Sequence, residues 1–260
     1  MIDRVLTAVR YIQPFRQGGS VPALVEADDG ELYVLKFHAA AQGRRALVAE
    51  LIAGEIGRKL ELRVPELAVI RVEPNFGMGE AHQEIRDTLN ASAGLNLGLR
   101  FLPDSLEYNP LLKPPLPPEE AAAIVWFDAY VTNVDRTLRN VNMLLHERRL
   151  WLIDHGSALY FHHSRGWFEQ PERALTPFAL VKDHVLLPFA GSVSDADARL
   201  RPLLPPDTLA EVVDLLPDAW LVDGAEPAEL RAGYRRWLND RVAASQVFVQ
   251  EADHARARRV

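Results

Sequence analysis

The chain has 260 residues, of which 48% are hydrophobic and 25% are charged, close to the average for globular proteins. Its formal net charge of −7 argues against a broad nucleic-acid-binding surface, which requires a basic stripe that displaces counterions. The absence of cysteine excludes disulfides and thiolate chemistry, and no apolar run reaches the roughly 18 residues that would span a membrane, so we expect a cytoplasmic protein.

The first part of the chain, residues 1–104, is predicted to be rich in strands. Alternating and β-branched apolar residues predict strands at 5–11, 23–27, 32–37, 66–72 and 97–102. An Asp-Gly turn at 28–30 joins the second strand to the third. Leucine and isoleucine at helical intervals predict one helix over 44–60, between the third and fourth strands.

A proline-rich stretch separates this part from the rest of the chain. Four of the five residues at 114–118 are proline, which neither a helix nor a central strand accommodates, so 105–118 is predicted as an extended linker. Residues 119–260 are predicted to be mainly helical, with a small hairpin formed by 141–145 and 150–153. The predicted helices lie at 118–130, 205–216 and 227–253. This order predicts an α+β fold of two lobes, an antiparallel sheet with one helix followed by a helical lobe.

Two polar residues, Asp135 and Asn140, stand five positions apart in the loop that leads into the hairpin. Phosphoryl transfer needs a carboxylate that orients the attacking hydroxyl and a nearby oxygen ligand for magnesium. Asp154 directly follows the second hairpin strand, which returns it to the same side, where its carboxylate would hold the metal that bridges nucleotide phosphates. Although the loop alone is also typical of an ordinary turn, the three residues together predict a magnesium-dependent phosphoryl-transfer site.

Lys36 lies within an apolar predicted strand, where a buried ammonium group is costly unless anions neutralise it. Nucleotide phosphates and a carboxylate on the next helix would supply these anions. Glu50 and Glu55 are both candidates, and periodicity does not separate them because that helix is apolar around most of its circumference. Gly18 and Gly19 lie one hairpin earlier, in a turn whose backbone N–H groups would approach phosphate oxygens closely.

Five segments, in their order along the chain, resemble the HipA-like kinase domain family, a distant relative of the protein-kinase and phosphatidylinositol-kinase folds. They are GGSVPALVEADDGELYVLKF at 18–37, ALVAELIAGEIGRKLELRVPE at 46–66, GLNLGLRFLP at 94–103, NVDRTLRNVNML at 133–144 and LWLIDHGSALYF at 150–161. The resemblance implies a two-lobed kinase-like fold that uses ATP and Mg²⁺. It also implies that the acceptor is a hydroxyl group, most simply a protein serine or threonine.

The resemblance assigns roles to individual residues. Asp135 would be the catalytic aspartate, Asn140 and Asp154 the magnesium ligands, and Lys36 the phosphate contact with Glu50 as its partner.

The same resemblance places nucleotide binding at two further segments. Leu97, Gly98 and Arg100 belong to the stretch that would hold adenine, and Ser20 in the glycine-rich turn becomes a candidate autophosphorylation site. Arg136, next to the catalytic aspartate, is expected to steady the loop or to contact the transferred group. His155 departs from the protein-kinase Asp-Phe-Gly element, in which this position is apolar.

Three other functions are compatible with the sequence. A small-molecule phosphotransferase of the antibiotic-kinase type shares the loop pattern and would use an acidic acceptor pocket, for which the chain offers Asp183, Asp195, Asp197, Asp214 and Asp218. A catalytically inactive pseudokinase would bind nucleotide without transfer. A metallohydrolase would need the pairs Asp154-His155, His162-His163 and Asp183-His184 to converge on one metal.

Overall fold

The computed structural model describes residues 5–15, 22–40, 43–80, 82–111 and 116–258. These residues form eight strands and seven α-helices, which is the mixed α+β composition that the sequence predicts. The strands are β1 Leu6–Pro14, β2 Ala23–Ala27, β3 Leu32–Lys36, β4 Leu67–Val72, β5 Gly94–Arg100, β6 Leu106–Glu107, β7 Met143–His146 and β8 Arg149–Leu152. The helices are α1 Arg44–Lys59, α2 Gln83–Ala91, α3 Pro118–Tyr130, α4 Val193–Leu200, α5 Pro206–Asp214, α6 Pro227–Ala243 and α7 Gln246–Ala257.

The first five strands form a closed barrel in the order β1-β2-β3-β5-β4, rather than the antiparallel sheet that the sequence predicts. Neighbouring strands are antiparallel except where the barrel closes, since β1 runs parallel to β4 with Leu6 opposite Ile70. Closure provides hydrogen-bond partners for the backbone groups of β1 and β4, which would be unpaired at the edges of an open sheet.

The two faces of β3 serve different cores because successive side chains on a strand point to opposite sides. Tyr33 and Leu35 lie in the barrel interior. Lys36 points to the other face, where Leu97 stands opposite it in register and belongs to the large core shared with the helices. The barrel therefore presents Lys36 toward α1 instead of burying it among apolar side chains.

Helix α1 is buried along residues 47–57 because it packs against the barrel on one side and the C-terminal helices on the other. A β-carbon at Gly57 would lie 2.9 Å from Val64 and 3.4 Å from Phe127 of α3, which shows how closely the elements approach. This double packing explains why the helix is apolar around most of its circumference.

The predicted linker 105–118 is not extended throughout. Leu106 and Glu107 form β6, which pairs with β7 and adds a third strand to the predicted hairpin of β7 and β8. Residues 112–115, which hold two of the prolines, lie outside the described part, and α3 begins at Pro118. The proposed domain limits at 104 and 119 stay a prediction.

The C-terminal part differs from the sequence prediction in two places. Residues 160–189, within the part predicted to be mainly helical, contain five short 3-10 turns. The predicted helix 227–253 is interrupted at Ala244 and Ser245, which allows α7 to turn so that Phe248 contacts Trp126 of α3. Among the described helices, none is both long enough and apolar enough to cross a membrane.

Candidate active site

The barrel, α1 and the end of β8 meet at three charged side chains. Lys36 Nζ lies 2.6 Å from Glu50 Oε2 and 2.6 Å from Asp154 Oδ1. The Glu50 side chain is fully buried and Lys36 is 13% exposed, whereas Asp154 is 46% exposed and faces solvent. The lysine thus joins an interior carboxylate to one that a ligand in the cleft can reach.

Each partner holds the other in its charged form. Burial by itself would lower the pKa of Lys36, but the charges of Glu50 and Asp154 outweigh it and raise the pKa above its ordinary value. Burial would likewise raise the pKa of Glu50, but Lys36 and His155 together hold it well below the usual range. The ammonium group of Lys36 and the carboxylate of Glu50 are therefore both charged although they have little contact with solvent.

The structure separates the two glutamates that periodicity leaves open. Glu55 contacts Arg58, with 3.5 Å between its Oε1 and the guanidinium Nε, while Glu50 alone of the two contacts Lys36. Five residues along a helix correspond to about 500° of rotation, so the two carboxylates leave α1 in different directions.

Asp154 occupies a sharp turn at the end of β8, with a left-handed backbone conformation at φ 56°. The next residue, His155, is fully buried, and its Nδ1 lies 3.5 Å from Glu50 Oε1. Its ring packs edge-on against Phe127 of α3 at 5.6 Å. The sequence identified His155 as a departure from an apolar residue and as part of one candidate metal pair, but gave no sign of this contact with the partner of Lys36.

The predicted catalytic loop is held by its own side chains. Asn140 Nδ2 donates to Asp135 Oδ2 at 2.7 Å, and the Asp135 backbone N–H donates to Asn133 Oδ1 at 3.2 Å. Burial raises the pKa of Asp135, and the negative charge of Asp154 adds to the rise, against the amides of Asn140 and Asn142. The charge of Asp154 thus contributes to the electrostatic environment of Asp135.

Arg136 lies in the interior and not in the cleft, with a fully buried side chain. Its Nε is 2.5 Å from Asp128 Oδ2, and its Nη1 donates to the backbone oxygens of Asn142 at 2.5 Å and Ile153 at 3.5 Å. The two roles expected from the sequence are to steady the loop or to contact the transferred group. The full burial of Arg136 and its contacts with Asp128 and two backbone oxygens favour the first of these roles.

The predicted adenine-binding residues occupy three different environments. Leu97 is fully buried on the Lys36 face of β5, whereas Gly98 faces the barrel interior, where a β-carbon would collide with Ile70. Arg100, at the end of the strand, pairs with Glu31 at 2.5 Å and with Glu66 at 3.5 Å. The structure therefore places Leu97 on the same face of the sheet as Lys36, within the large core, and turns Gly98 to the opposite face. Gly18, Gly19 and Ser20 lie outside the described residues.

The donor set suits a hard cation. Asp154 and Asn140 offer carboxylate and amide oxygens, which magnesium accepts together with water and substrate phosphates. Within the described ranges, no group of three or more His, Asp or Glu side chains is arranged to hold a metal by protein ligands alone.

The histidine pairs of the metallohydrolase alternative have other contacts. His162 Nδ1 is 3.0 Å from the Tyr234 hydroxyl, and His184 Nε2 is 2.9 Å from Asp128 Oδ2.

Comparisons with known proteins identify the family of the chain and a similar fold. A search among curated protein sequences found no match. Among solved structures, the fold is similar to that of the Helicobacter pylori proinflammatory kinase CtkA, with a TM-score of 0.57 and 13% sequence identity over 96% of this chain and 99% of that one. The sequence profile of the HipA-like kinases matches residues 8–236, most of the chain and all the site residues described above. The protein therefore belongs to the HipA-like kinase family.

Proposed function

We propose that this kinase uses ATP and Mg²⁺ to phosphorylate a hydroxyl group, in a protein serine or threonine. The observation that carries the proposal is the bridge from Glu50 through Lys36 to Asp154, with 2.6 Å at each contact. A largely buried lysine between two carboxylates is ready to receive anionic oxygens, because it is already charged and already oriented.

The proposed role of each residue follows from its position in the site. Glu50 holds the ammonium of Lys36 toward the cleft, where it would contact the phosphates of ATP. Asp135, fixed by Asn140, would accept a hydrogen bond from the acceptor hydroxyl and place its oxygen in line with the γ-phosphorus. As the new O–P bond forms, the hydroxyl proton would pass to Asp135, the bond from the γ-phosphorus to the β,γ-bridging oxygen would break, and ADP would depart with its electron pair.

Magnesium, held by Asp154 and Asn140, would neutralise the phosphate charge. Before nucleotide binds, Lys36 neutralises Asp154, so the lysine would exchange this contact for phosphate oxygens while it keeps Glu50. Glu50 is the constant partner because it is fully buried, and Asp154 is the exchangeable one because it is half exposed.

The small-molecule alternative receives little support from the acidic residues. Asp197 accepts a hydrogen bond from Trp126 Nε1 at 2.8 Å, Asp214 pairs with Arg235, and Asp218 pairs with Arg231 at 2.5 Å. These three of the five candidate carboxylates have structural partners within the protein, which supports a protein acceptor over a polycationic antibiotic.

A direct test incubates the purified protein with γ-labelled ATP and Mg²⁺, in separate reactions with casein, with kanamycin and with no added acceptor. We expect label in protein, none in the presence of EDTA, and a loss of at least about 100-fold in Asp135→Asn. Asp214→Asn removes a carboxylate that pairs with Arg235 on α6 and serves as the control.

Other outcomes would overturn the proposal in distinguishable ways. Label in kanamycin would establish the small-molecule acceptor. ATP binding without label anywhere would establish a pseudokinase, and full transfer by Asp135→Asn would remove Asp135 from the reaction.

A further inference from the structure

A buried carboxylate on α3, Asp128, lies directly beneath the catalytic loop and is fully excluded from solvent. Its Oδ1 accepts a hydrogen bond from Asn133 Nδ2 at 2.9 Å, and its Oδ2 contacts Arg136 Nε at 2.5 Å. Asn133 and Arg136 flank Asp135 in the chain. One carboxylate thus fixes the loop on both sides of the residue that would orient the acceptor hydroxyl.

The same carboxylate has a third partner from a distant part of the sequence. His184 Nε2 lies 2.9 Å from Asp128 Oδ2, and the backbone N–H of Leu186 donates to His184 Nδ1 at 3.0 Å. Because Nδ1 accepts, the proton resides on Nε2, which donates to Asp128. The imidazole is thereby fixed at both nitrogens.

His184 belongs to residues 179–187, which we call the acceptor-side segment because it borders the catalytic loop. Thr137 forms a β-bridge with His184, and the Val185 N–H donates to the Arg136 oxygen at 3.0 Å. The bridge lies two residues beyond Asp135, so an acceptor hydroxyl placed by Asp135 approaches next to this segment. Backbone and side-chain bonds therefore join the two elements.

Arg136 carries the connection to the metal-binding turn. Its guanidinium holds the backbone oxygen of Ile153, the residue that precedes Asp154, and also that of Asn142. A guanidinium has five N–H donors in a fixed planar arrangement, so the ion pair with Asp128 determines where these carbonyl groups lie. Asp128 is accordingly the common anchor of three elements of the site.

We propose that Asp128 is a positioning residue for phosphoryl transfer, and that His184 couples the acceptor-side segment to the catalytic loop through it. The proposal rests on the kinase function proposed above and adds residues that the family pattern of lysine, aspartates and asparagine does not include. Transfer of this kind depends on placement, and a displacement of about 1 Å at the reacting atoms costs roughly 100-fold in rate.

Two substitutions at His184 isolate the bond to Asp128. His184→Leu removes the donor, whereas His184→Gln retains an N–H group able to reach the carboxylate, and both lose the acceptor for Leu186. We expect kcat for a protein acceptor to fall about 10-fold or more in His184→Leu and to recover most of that loss in His184→Gln. The Kd of a fluorescent ATP analogue should stay within about twofold in both variants, because no nucleotide contact changes.

Hydrogen exchange followed by mass spectrometry provides a readout that does not require catalysis. His184→Leu should accelerate amide exchange in residues 133–142 as well as in the acceptor-side segment, and leave the barrel strands unchanged. Faster exchange confined to the acceptor-side segment would overturn the coupling, as would equal kcat values for the Leu and Gln variants. If the wild type transfers no phosphate while the exchange pattern appears, the kinase proposal fails and the coupling stands.

Asp128→Asn tests the anchor itself, with Asp197→Asn as the matched control. Asp197 is also buried and also bonds to α3, through Trp126, but it does not contact the catalytic loop. We expect Asp128→Asn to lower kcat and to weaken Mg²⁺-dependent nucleotide binding, because Arg136 would no longer be held against the backbone that precedes Asp154. We expect Asp197→Asn to change neither quantity. Should Asp128→Asn fail to fold, the His184 pair still decides the proposal, and equal effects of the two Asn variants on kcat would overturn it.

Discussion

At the scale of single residues, the site depends on which charges are buried together. Glu50 is completely enclosed, and Lys36 is the cation that compensates it at 2.6 Å. A buried carboxylate that loses its partner still pays the desolvation penalty but no longer gains the Coulombic attraction. Removing one charged group therefore lowers the stability of the fold more than removing both. Stability and catalysis can therefore be separated experimentally at this pair.

We predict that Lys36→Met lowers the free energy of unfolding by about 3–5 kcal/mol, because the Glu50 charge stays buried and unpaired. The double variant Lys36→Met with Glu50→Gln should recover most of this loss, since no charge remains inside. Neither variant should transfer phosphate. Urea denaturation and the labelled-ATP assay measure the two effects, and a double variant no more stable than Lys36→Met would contradict the assignment.

The exposed side of the same bridge governs ligand binding. Asp154 is the metal ligand in the proposed mechanism, so ATP should raise the melting temperature more strongly with Mg²⁺ than without it. At 100 times Kd, the expected stabilisation is about 2.7 kcal/mol. Asp154→Asn should remove the magnesium-dependent part of the shift in a thermal-shift titration, and a shift that still depends on magnesium would exclude Asp154 as the ligand.

At the scale of elements, strand alternation determines which residues reach the cleft. Gly98 stands opposite Leu35 on β3 and Ala68 on β4, and all three face the barrel interior. A β-carbon at this position would lie 3.1 Å from the Tyr33 β-carbon and closer still to Ile70. Packing inside the barrel thus requires a glycine at position 98.

We predict that Gly98→Ala destabilises the protein by about 1–3 kcal/mol through overpacking of the barrel. The affinity for a fluorescent ATP analogue, measured well below the melting temperature, should change less than about twofold. Weaker nucleotide binding at unchanged stability would instead place Gly98 in the adenine site, as its motif position implies.

The segment of short 3-10 turns at 160–189 is held by long-range contacts as well as by its own local backbone hydrogen bonds. Arg241 of α6 donates to the backbone oxygens of Ala174 and Thr176, and also to those of Ala129 and Tyr130 at the end of α3. Burial lowers the pKa of Arg241 to about 10, which leaves it charged at neutral pH. No local pattern in 160–189 signals these bonds, because their donor lies more than 60 residues away.

The same segment should make stability sensitive to acid. Burial, aided by His163 and Arg45, holds the pKa of His162 well below its usual value, so the folded state excludes a proton that the unfolded chain accepts. The free energy of unfolding therefore has its full value, as far as His162 is concerned, above about pH 6.5. It decreases as the pH falls below that value, by up to about 1.4 kcal/mol per pH unit. His162→Gln should flatten this decline in melting temperature between pH 7 and 5.5, whereas the exposed His254→Gln should not.

At the scale of the whole molecule, the sequence by itself determined the mixed α+β composition and the order of the elements with strong local patterns, but it missed β6 and α4. The Asp-Gly hairpin, α1, α3 and the β7–β8 hairpin have strong local signals of turn chemistry and periodicity, and the order of Lys36, Asp135, Asn140 and Asp154 indicated a kinase. These features can be recognised in the sequence because each depends on residues that are close together in the chain.

Only the tertiary structure decided which charged groups meet. Lys36 and Asp154 are 118 positions apart, and the choice of Glu50 over Glu55 depends on how α1 is rotated between the barrel and the C-terminal helices. The closing of the barrel, the burial of Arg136 and the contact of Asp128 with His184 likewise arise from packing among distant segments. Local propensity carries no information about such pairings, since their energy comes from desolvation and charge in an interior that exists only once the chain has folded.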